Sequence, residues 1–428
     1  MLIAIFVFLL FLLFGMPVAF AIGISGMFFF LITPELPLSI AAQRTVASTQ
    51  SYTLLAIPLF VFAGNLMNNT GITKRLIKLA NALTGHMYGN LAQVSCVLST
   101  LMGGVSGSAN ADAAMETRIL GPSMTKRGYS PGYSAAINGV TSLITCTIPP
   151  SMGLIIYGSV GEVSIGRLFA AGIVPGLLMM VVLMMAVRIT AKKRGYIPER
   201  AERASLSEIG KAAIESIWAL IFPVILIVGI RFGVLTPSES GAFAVVYAVF
   251  VGACIYKELS WQAFLQSLKD SIGDIGVIMA LVALSGIFGY GIVYDSIPQK
   301  MASLLLGITT NPYLLQFIIV ILLIMCGMFM ETTVVALLLT PILLPIITNI
   351  GIDPVQFGIV MMTTVTMGIM TPPVGIALYT TSSLMGCSPE DVAKESIPFI
   401  VAILIVVAIC ILFKDLILFV PNLIFGTY

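Results

Sequence analysis

Apolar runs long enough to cross a bilayer, about 20 residues each, recur from residue 2 to residue 421 of this 428-residue chain. They fall near 2–31, 51–68, 90–120, 132–160, 166–190, 213–232, 238–256, 274–295, 301–330, 331–350, 355–384 and 397–421. Several are too long, or too often broken by Gly and Pro, to be one straight helix. The pattern therefore predicts roughly ten to twelve crossings plus two re-entrant hairpins. No charge occurs between Met1 and Glu35. A cleaved secretory signal would carry a basic n-region, which is missing, and Gly15 and Pro17 have counterparts in Gly233 and Pro237, so this stretch reads as a resident span. Hydrophobic residues make up 58% and charged residues 9%, with a mean hydropathy of +1.07. Soluble domains run near 25% charged, so a soluble globular protein is excluded. The net charge of +2 gives no reason to expect a nucleic-acid partner. Cys96, Cys146, Cys254, Cys326, Cys387 and Cys410 show no CxxC spacing and read as small residues of the apolar runs rather than a disulfide or metal framework.

The second half repeats the first. Gly104, Pro122, Gly128, Pro131 and Pro149-Pro150 recur as Gly327, Pro345, Gly351, Pro354 and Pro372-Pro373, all shifted by 223 residues. Gly153 and Tyr157 recur as Gly375 and Tyr379, and Gly64 and Arg75 meet Gly289 and Lys300. The matched residues are mostly Gly and Pro, which fix backbone shape, so architecture is what has been duplicated. Seven of the 21 basic residues lie between Arg188 and Lys211, which places that polar stretch in the cytoplasm. Lys74, Arg75, Lys78, Arg118, Lys126 and Arg127 crowd the other loops of the first copy, whereas residues 341–351 carry no basic residue where 118–128 carry three. Opposite charge bias in equivalent loops points to inverted repeats. The expected organisation is a first repeat over 1–187, a basic linker over 188–211 and a second repeat over 212–428.

Each copy has two interruptions. In the first they read MGGVSGSANADA (102–113) and TSLITCTIPPSMG (141–153); in the second, CGMFMETTVVAL (326–337) and TVTMGIMTPPVG (364–375). Two consecutive prolines cannot continue a helix, because each lacks an N–H donor and clashes with the preceding turn. Backbone groups freed inside a membrane survive only beside protein or a polar cavity. Carbonyls and hydroxyls around such breaks suit a monovalent hard cation, since Ca²⁺ or Mg²⁺ would call for several carboxylates. The restarting half-helix presents N–H groups to an anion. One candidate cation site uses Ser106, Ser108, Asn110, Thr145, Thr147 and Pro149. The second uses Gly327, Thr332, Thr333, Thr366, Met370 and Thr371. Ser106, Ser108, Asp112, Ser151 and Glu331 are the candidate substrate ligands, Asp112 and Glu331 being the carboxylates read inside the membrane. Small and hydroxylated residues also let helices pack closely. Packing alone does not explain Pro-Pro breaks recurring opposite Gly/Ser/Thr-rich hairpins, the arrangement that in a duplicated membrane chain points to a transporter site.

Enzyme readings fail on partners. Gly104-Val105-Ser106-Gly107 has the shape of a serine nucleophile motif, but the single histidine, His86, lies upstream and would have to fold back to serve as its base. One histidine excludes HExxH, and Gly210-Lys211 is not part of a P-loop, so no ATP is bound here.

The runs GVSGSANADA, GYSPGYSAAI and TIPPS, followed by GMFMETTVVALLLTPILLPI and TPPVGIALY, resemble the large membrane subunit of tripartite ATP-independent periplasmic (TRAP) transporters, in the ion transporter superfamily. The resemblance covers essentially the whole chain, with the sialic acid branch nearest and C4-dicarboxylate importers next. It implies an all-α polytopic protein of the bacterial inner membrane with an elevator-type mechanism. It further implies Na⁺ as coupling ion, at two sites if each copy supplies one, and a carboxylate solute as cargo. The implied partners are a small four-helix membrane subunit, a periplasmic substrate-binding protein and the surrounding lipid. No extra four-helix segment precedes Met1, so the small subunit is expected as a separate chain. A channel, or a scaffold subunit that only docks partners, is the alternative.

Overall fold

The computed structural model describes residues 1–426, and every regular element among them is helical. Six helices are long and apolar enough to cross a membrane, or eight if each of two bent pairs counts as one span. The apolar runs map onto them with several corrections. Residues 2–31 form two helices, Leu2–Leu13 and Val18–Leu31, which fold against each other through Gly15 at φ 75°. The run near 51–68 is preceded by a helix, Leu38–Thr49, bent 54° from the segment Tyr52–Asn68. The run near 274–295 starts earlier, because Trp261–Tyr294 is one helix capped by the Ser260 hydroxyl. Residues 301–330 are two helices, Ile297–Ile308 and Pro312–Phe329, since Asn311 caps the second and Pro312 opens it. Beyond 397 the chain breaks again, between Pro389–Leu412 and Lys414–Phe425. Arg188 to Arg194 are the last turns of the long helix Ile165–Arg194, so the basic stretch begins inside a helix, and only 195–205 are irregular.

Packing is reciprocal between the copies. Val18–Leu31 packs on Trp261–Tyr294, as its counterpart Pro237–Phe250 packs on Ala56–Asn68. Pro131–Thr141 packs on Pro389–Leu412, as Pro354–Gly368 packs on Ile165–Arg194. Equivalent helices run antiparallel. Arg194, at the end of Ile165–Arg194, pairs bidentately with Glu395, near the start of Pro389–Leu412, at 2.9 and 2.5 Å. Asn65 and Asn69, at the end of Ala56–Asn68 and just beyond it, meet Ser271 and Ser267, in the first turns of Trp261–Tyr294, at 3.0 and 2.7 Å.

Two layers result. The outer layer holds Leu2–Leu13, Val18–Leu31, Leu38–Asn68 and the helices from Ile217 to Tyr294, and it exposes Phe6, Leu13, Phe20, Val246 and Val277. The inner unit holds the two hairpins and two broken helices. Large side chains are fully buried within it and against the long helices Ile165–Arg194 and Pro389–Leu412 that pack on it, among them Tyr133, Tyr157, Phe357, Phe169 and Phe399. An amphipathic helix, Ile72–Thr84, joins the layers. It buries Ile72, Leu76 and Leu79 and pins its polar face through Arg75–Glu258 (2.8 Å) and Lys78–Glu215 (2.7 Å). The linker crosses the base of the first hairpin: Gly89 N–H donates to Tyr196 O, and Arg127 pairs with Glu199 at 2.6 Å.

Antiparallel copies place Lys126 and Asn349, both exposed, on opposite membrane faces. Cys254, Cys326 and Cys387 are accessible or partly so and are first replaced by serine, while the buried Cys96, Cys146 and Cys410 stay. In intact spheroplasts a membrane-impermeant thiol reagent should then label Asn349→Cys and not Lys126→Cys. Labelling of both, or of Lys126→Cys alone, contradicts the inverted arrangement.

Candidate functional site

The first hairpin pairs Asn90–Gly103 with Ala109–Lys126 through a tip at 104–108. Gly107 sits there at φ +70°, and a Cβ on it would lie 2.6 Å from the carbonyl oxygen of Pro150 in the neighbouring break. Glycine is needed on both counts. The first broken helix runs Pro131–Thr141, continues as a tight turn over Ser142–Ile144, breaks, and restarts as Met152–Val160. Cys146, inside that break, sutures the hairpin tip: its sulfur accepts from Ala109 N–H at 3.1 Å and its thiol donates to Gly107 O at 3.6 Å. The Cys146 carbonyl in turn accepts from the Ser151 hydroxyl at 2.5 Å.

The second copy solves the same problem with different atoms. Its hairpin, Pro312–Phe329 and Thr332–Asn349, turns more tightly through Met330 and Glu331, both extended. Its broken helix stops at Gly368 and restarts as Ile376–Met385. Gly375 N–H donates to Met328 O at 2.9 Å, tying break to hairpin. Gly327 and Gly368 cross in near contact, and a Cβ on Gly327 would collide with the Val365 carbonyl oxygen.

The tips and breaks of both copies converge on one small niche, lined by Gly107, Ser108, Asn110, Glu331, Thr332 and Thr333 among others. It opens into a cavity of about 380 Å³ between inner unit and outer layer, whose walls include Ser106, Ser108, Asn110, Glu331 and, from the outer layer, Asn65, Asn68 and Asp274.

The chain matches the family described as tripartite ATP-independent periplasmic transporter, DctM component, over residues 5–416. It belongs to the TRAP transporter large permeases. It is 36% identical to the sialic acid TRAP transporter large permease protein SiaM of Vibrio cholerae over 96% of each chain. It is 34% identical to the 2,3-diketo-L-gulonate TRAP transporter large permease protein YiaN of Escherichia coli, covering 94% of this chain and 95% of that one. It is 33% identical to the C4-dicarboxylate TRAP transporter large permease protein DctM of Pseudomonas aeruginosa, covering 94% of each. In fold it is similar to the Alcanivorax borkumensis YdaH transporter, with a TM-score of 0.63 over 87% of this chain and 86% of that one at 13% identity. This TRAP permease is thus a multi-pass inner-membrane protein and not an enzyme.

The candidate residues divide by where their side chains go. Ser106, Ser108, Asn110, Glu331, Thr332 and Thr333 line the niche or the cavity. Ser108 and Glu331 stand at helix N-caps without capping them, which leaves their oxygens uncommitted. Asn110 Oδ1 is met by the Thr380 hydroxyl of the other copy at 3.3 Å. Thr332 donates to Thr366 Oγ1 at 3.3 Å, and Thr366 to Met362 O at 2.6 Å, so this chain of hydroxyls links the second hairpin tip to the helix end before the second break. Thr145 and Thr371 turn their hydroxyl hydrogens back to their own helices, at Ser142 O and Met367 O. Other candidates point elsewhere. Thr147 faces Met179 and Thr363, Ser151 caps Met152–Val160, and the Met370 side chain packs against Gly139. Pro149 and Gly327 could contribute only carbonyl oxygens. Asp112 is fully buried behind the tip, beside the Ser106 and Thr145 hydroxyls, and does not line the cavity. Arg118 is exposed and does not pair with it.

Three groups escaped the sequence reading. Glu116, one turn after Asp112, is a third buried carboxylate, held by Ser99 at 2.6 Å and Ser95 at 2.7 Å. Asp274, Asn65 and Asn68 form the outer wall of the cavity, and Thr380 closes on Asn110. Asp274 had a signal, an acid between Gly273 and Gly276 at the start of a long apolar run.

The residues fit a small hard cation. Both Asp112 carboxylate oxygens are buried without a hydrogen bond of full geometry, the Ser106 and Thr145 hydroxyls standing beside them, and the Thr333 hydroxyl in the niche has no partner. No group of three or more His, Cys, Asp or Glu converges among the described residues. A single carboxylate with carbonyl and hydroxyl oxygens is the donor set of a monovalent ion rather than of Zn²⁺ or Ca²⁺.

Overpacking a close backbone crossing costs about 1–3 kcal/mol, so Gly327→Ala should lower the melting temperature of the purified protein. Gly273→Ala, at a helical glycine with open space around it, should instead leave it unchanged or raise it by the better helix propensity of alanine. Equal effects from the two would mean that the Gly327–Gly368 crossing is not tight.

Proposed function

We propose that this permease imports an organic acid by Na⁺ symport, receiving it from a periplasmic binding protein and working beside a small four-helix membrane subunit. The observation that carries the reading is the convergence of both tips and both breaks on one oxygen-lined niche in front of the buried Asp112 carboxylate. Na⁺ there supplies positive charge to a site with no basic side chain among its lining residues. Asp112, Ser106, Asn110 and the Thr145–Pro149 carbonyls hold one ion on the first-copy side. Thr332, Thr333, Thr366 and the carbonyls of Gly327 and Met370 hold the second. The carboxylate solute occupies the cavity in front of them, near the N-termini of the helices that begin at Ala109, Met152 and Ile376. Ions and solute share ligands from both copies, so the inner unit moves as one body against the outer layer, an elevator motion. Sialic acid stands first among candidate solutes and C4-dicarboxylates second.

Reconstituted with its partner proteins in proteoliposomes, the permease should accumulate solute above the outside concentration only under an inward Na⁺ gradient. Equilibration without accumulation would identify a channel and overturn the proposal. Asn110→Ala should raise the Na⁺ concentration for half-maximal uptake severalfold while leaving the binding protein's own affinity for solute unchanged. Unaltered Na⁺ dependence would remove Asn110 from the ion site.

A further inference from the structure

The cavity beside the niche has an unusual wall for a carrier of acids. Its lining contains no Arg, Lys or His, yet it presents two carboxylates, Glu331 from the second hairpin tip and Asp274 from the outer layer. The two line the same cavity from opposite layers. Between them stand amides. Asn65 donates through Nδ2 to Asp274 Oδ2 at 3.3 Å and to Ser271 at 3.0 Å, and Asn68 Oδ1 is buried without a donor. Glu331 makes no cap bond at its helix.

The side of the cavity made by Asp274, Glu331 and Asn68 is rich in acceptors, with the carboxylates supplying four oxygens and Asn68 Oδ1 a fifth that has no donor. A solute that fills it must bring hydrogen-bond donors, and hydroxyl groups are the donors that carry no charge. Carboxylates bind adjacent sugar hydroxyls through pairs of O–H···O⁻ bonds, which are the stronger, charge-assisted kind. A second carboxylate on the solute would meet Asp274 and Glu331 as a like charge in a half-enclosed site and would lose its water there. One carboxylate can still be accommodated at the opposite end, against the ion sites and helix N-termini.

We propose that Asp274 and Glu331, with Asn65 and Asn68, are specificity determinants that select a polyhydroxylated monocarboxylate, a sugar acid, and reject dicarboxylates. This rests on the reading that the cavity holds the transported solute. It goes beyond the relatives' names, which include both kinds of solute.

The test uses the full-length permease together with its small membrane subunit in lipid nanodiscs with NaCl, followed by ligand-induced thermal stabilisation. The probes are gluconate, glucuronate and N-acetylneuraminate against succinate, malate and fumarate. At least one sugar acid should stabilise at a concentration about tenfold or more below that needed by any dicarboxylate. Asp274→Asn and, separately, Glu331→Gln should each shrink that ratio by weakening the sugar acid and improving the dicarboxylates. A dicarboxylate that binds as well as the best sugar acid, a panel in which no sugar acid stabilises, or variants that leave the ratio unchanged would each overturn the assignment. The symport reading fails separately: Na⁺-driven accumulation of a dicarboxylate would leave it standing while ending this one, and selective sugar-acid binding without Na⁺-driven accumulation would do the reverse.

Discussion

Backbone polar groups cannot be left unpaired in an apolar medium, and this constraint organises the molecule. Each Pro-Pro break removes helix hydrogen bonds and frees carbonyls and N–H groups at the centre of the inner unit. The fold answers each break with the neighbouring hairpin tip. Cys146 binds Ala109 N–H and Gly107 O in one copy, and Gly375 binds Met328 O in the other. The tips have to approach closely to do this, which is why Gly107, Gly327 and Gly368 carry no side chain. Among the described residues the Thr333 hydroxyl, in the niche, is left without a partner. The proposed ion sites thus sit where the backbone is broken rather than being an addition to a finished bundle.

The outer layer takes its role from the same arrangement. It is assembled from unbroken or bent helices that pack reciprocally and expose large apolar side chains, and it contributes only one polar wall to the cavity. The helix Ile72–Thr84 connects it to the first hairpin. Its ion pairs, exposed for the most part, are each worth little individually, and the buried face of Ile72, Leu76 and Leu79 holds it in place.

Gly and Pro act on the backbone where they stand, so the duplication, the two hairpins and the two breaks were legible from spacing alone. Ser108, Asn110, Thr332, Thr333 and Glu331 were legible for the same reason, being the polar residues nearest the breaks. Side-chain direction was not. Ser151 caps its helix, Thr147 turns to Met179 and Met370 fills space against Gly139, choices set by packing between distant segments. Asp274, Asn65 and Asn68 reach the site from the other layer, over 150 residues away in sequence for Asp274 against the first hairpin tip, and only the closed cavity joins them. Helix boundaries in the uniformly apolar stretches were also out of reach: nothing in 301–330 but Asn311-Pro312 marks where one helix stops and the next begins.

The central claim is that the inner unit moves as one body past the outer layer. Ala114 and Val277 face the same cavity from the two layers. With Cys254, Cys326 and Cys387 replaced by serine, Ala114→Cys and Val277→Cys can be bridged by a short reducible bis-thiol reagent in proteoliposomes that contain the partner proteins. Uptake should vanish when both cysteines are bridged, return on reduction, and survive the same reagent on either single-cysteine variant. Full uptake with the bridge intact would mean that the two layers do not move relative to each other.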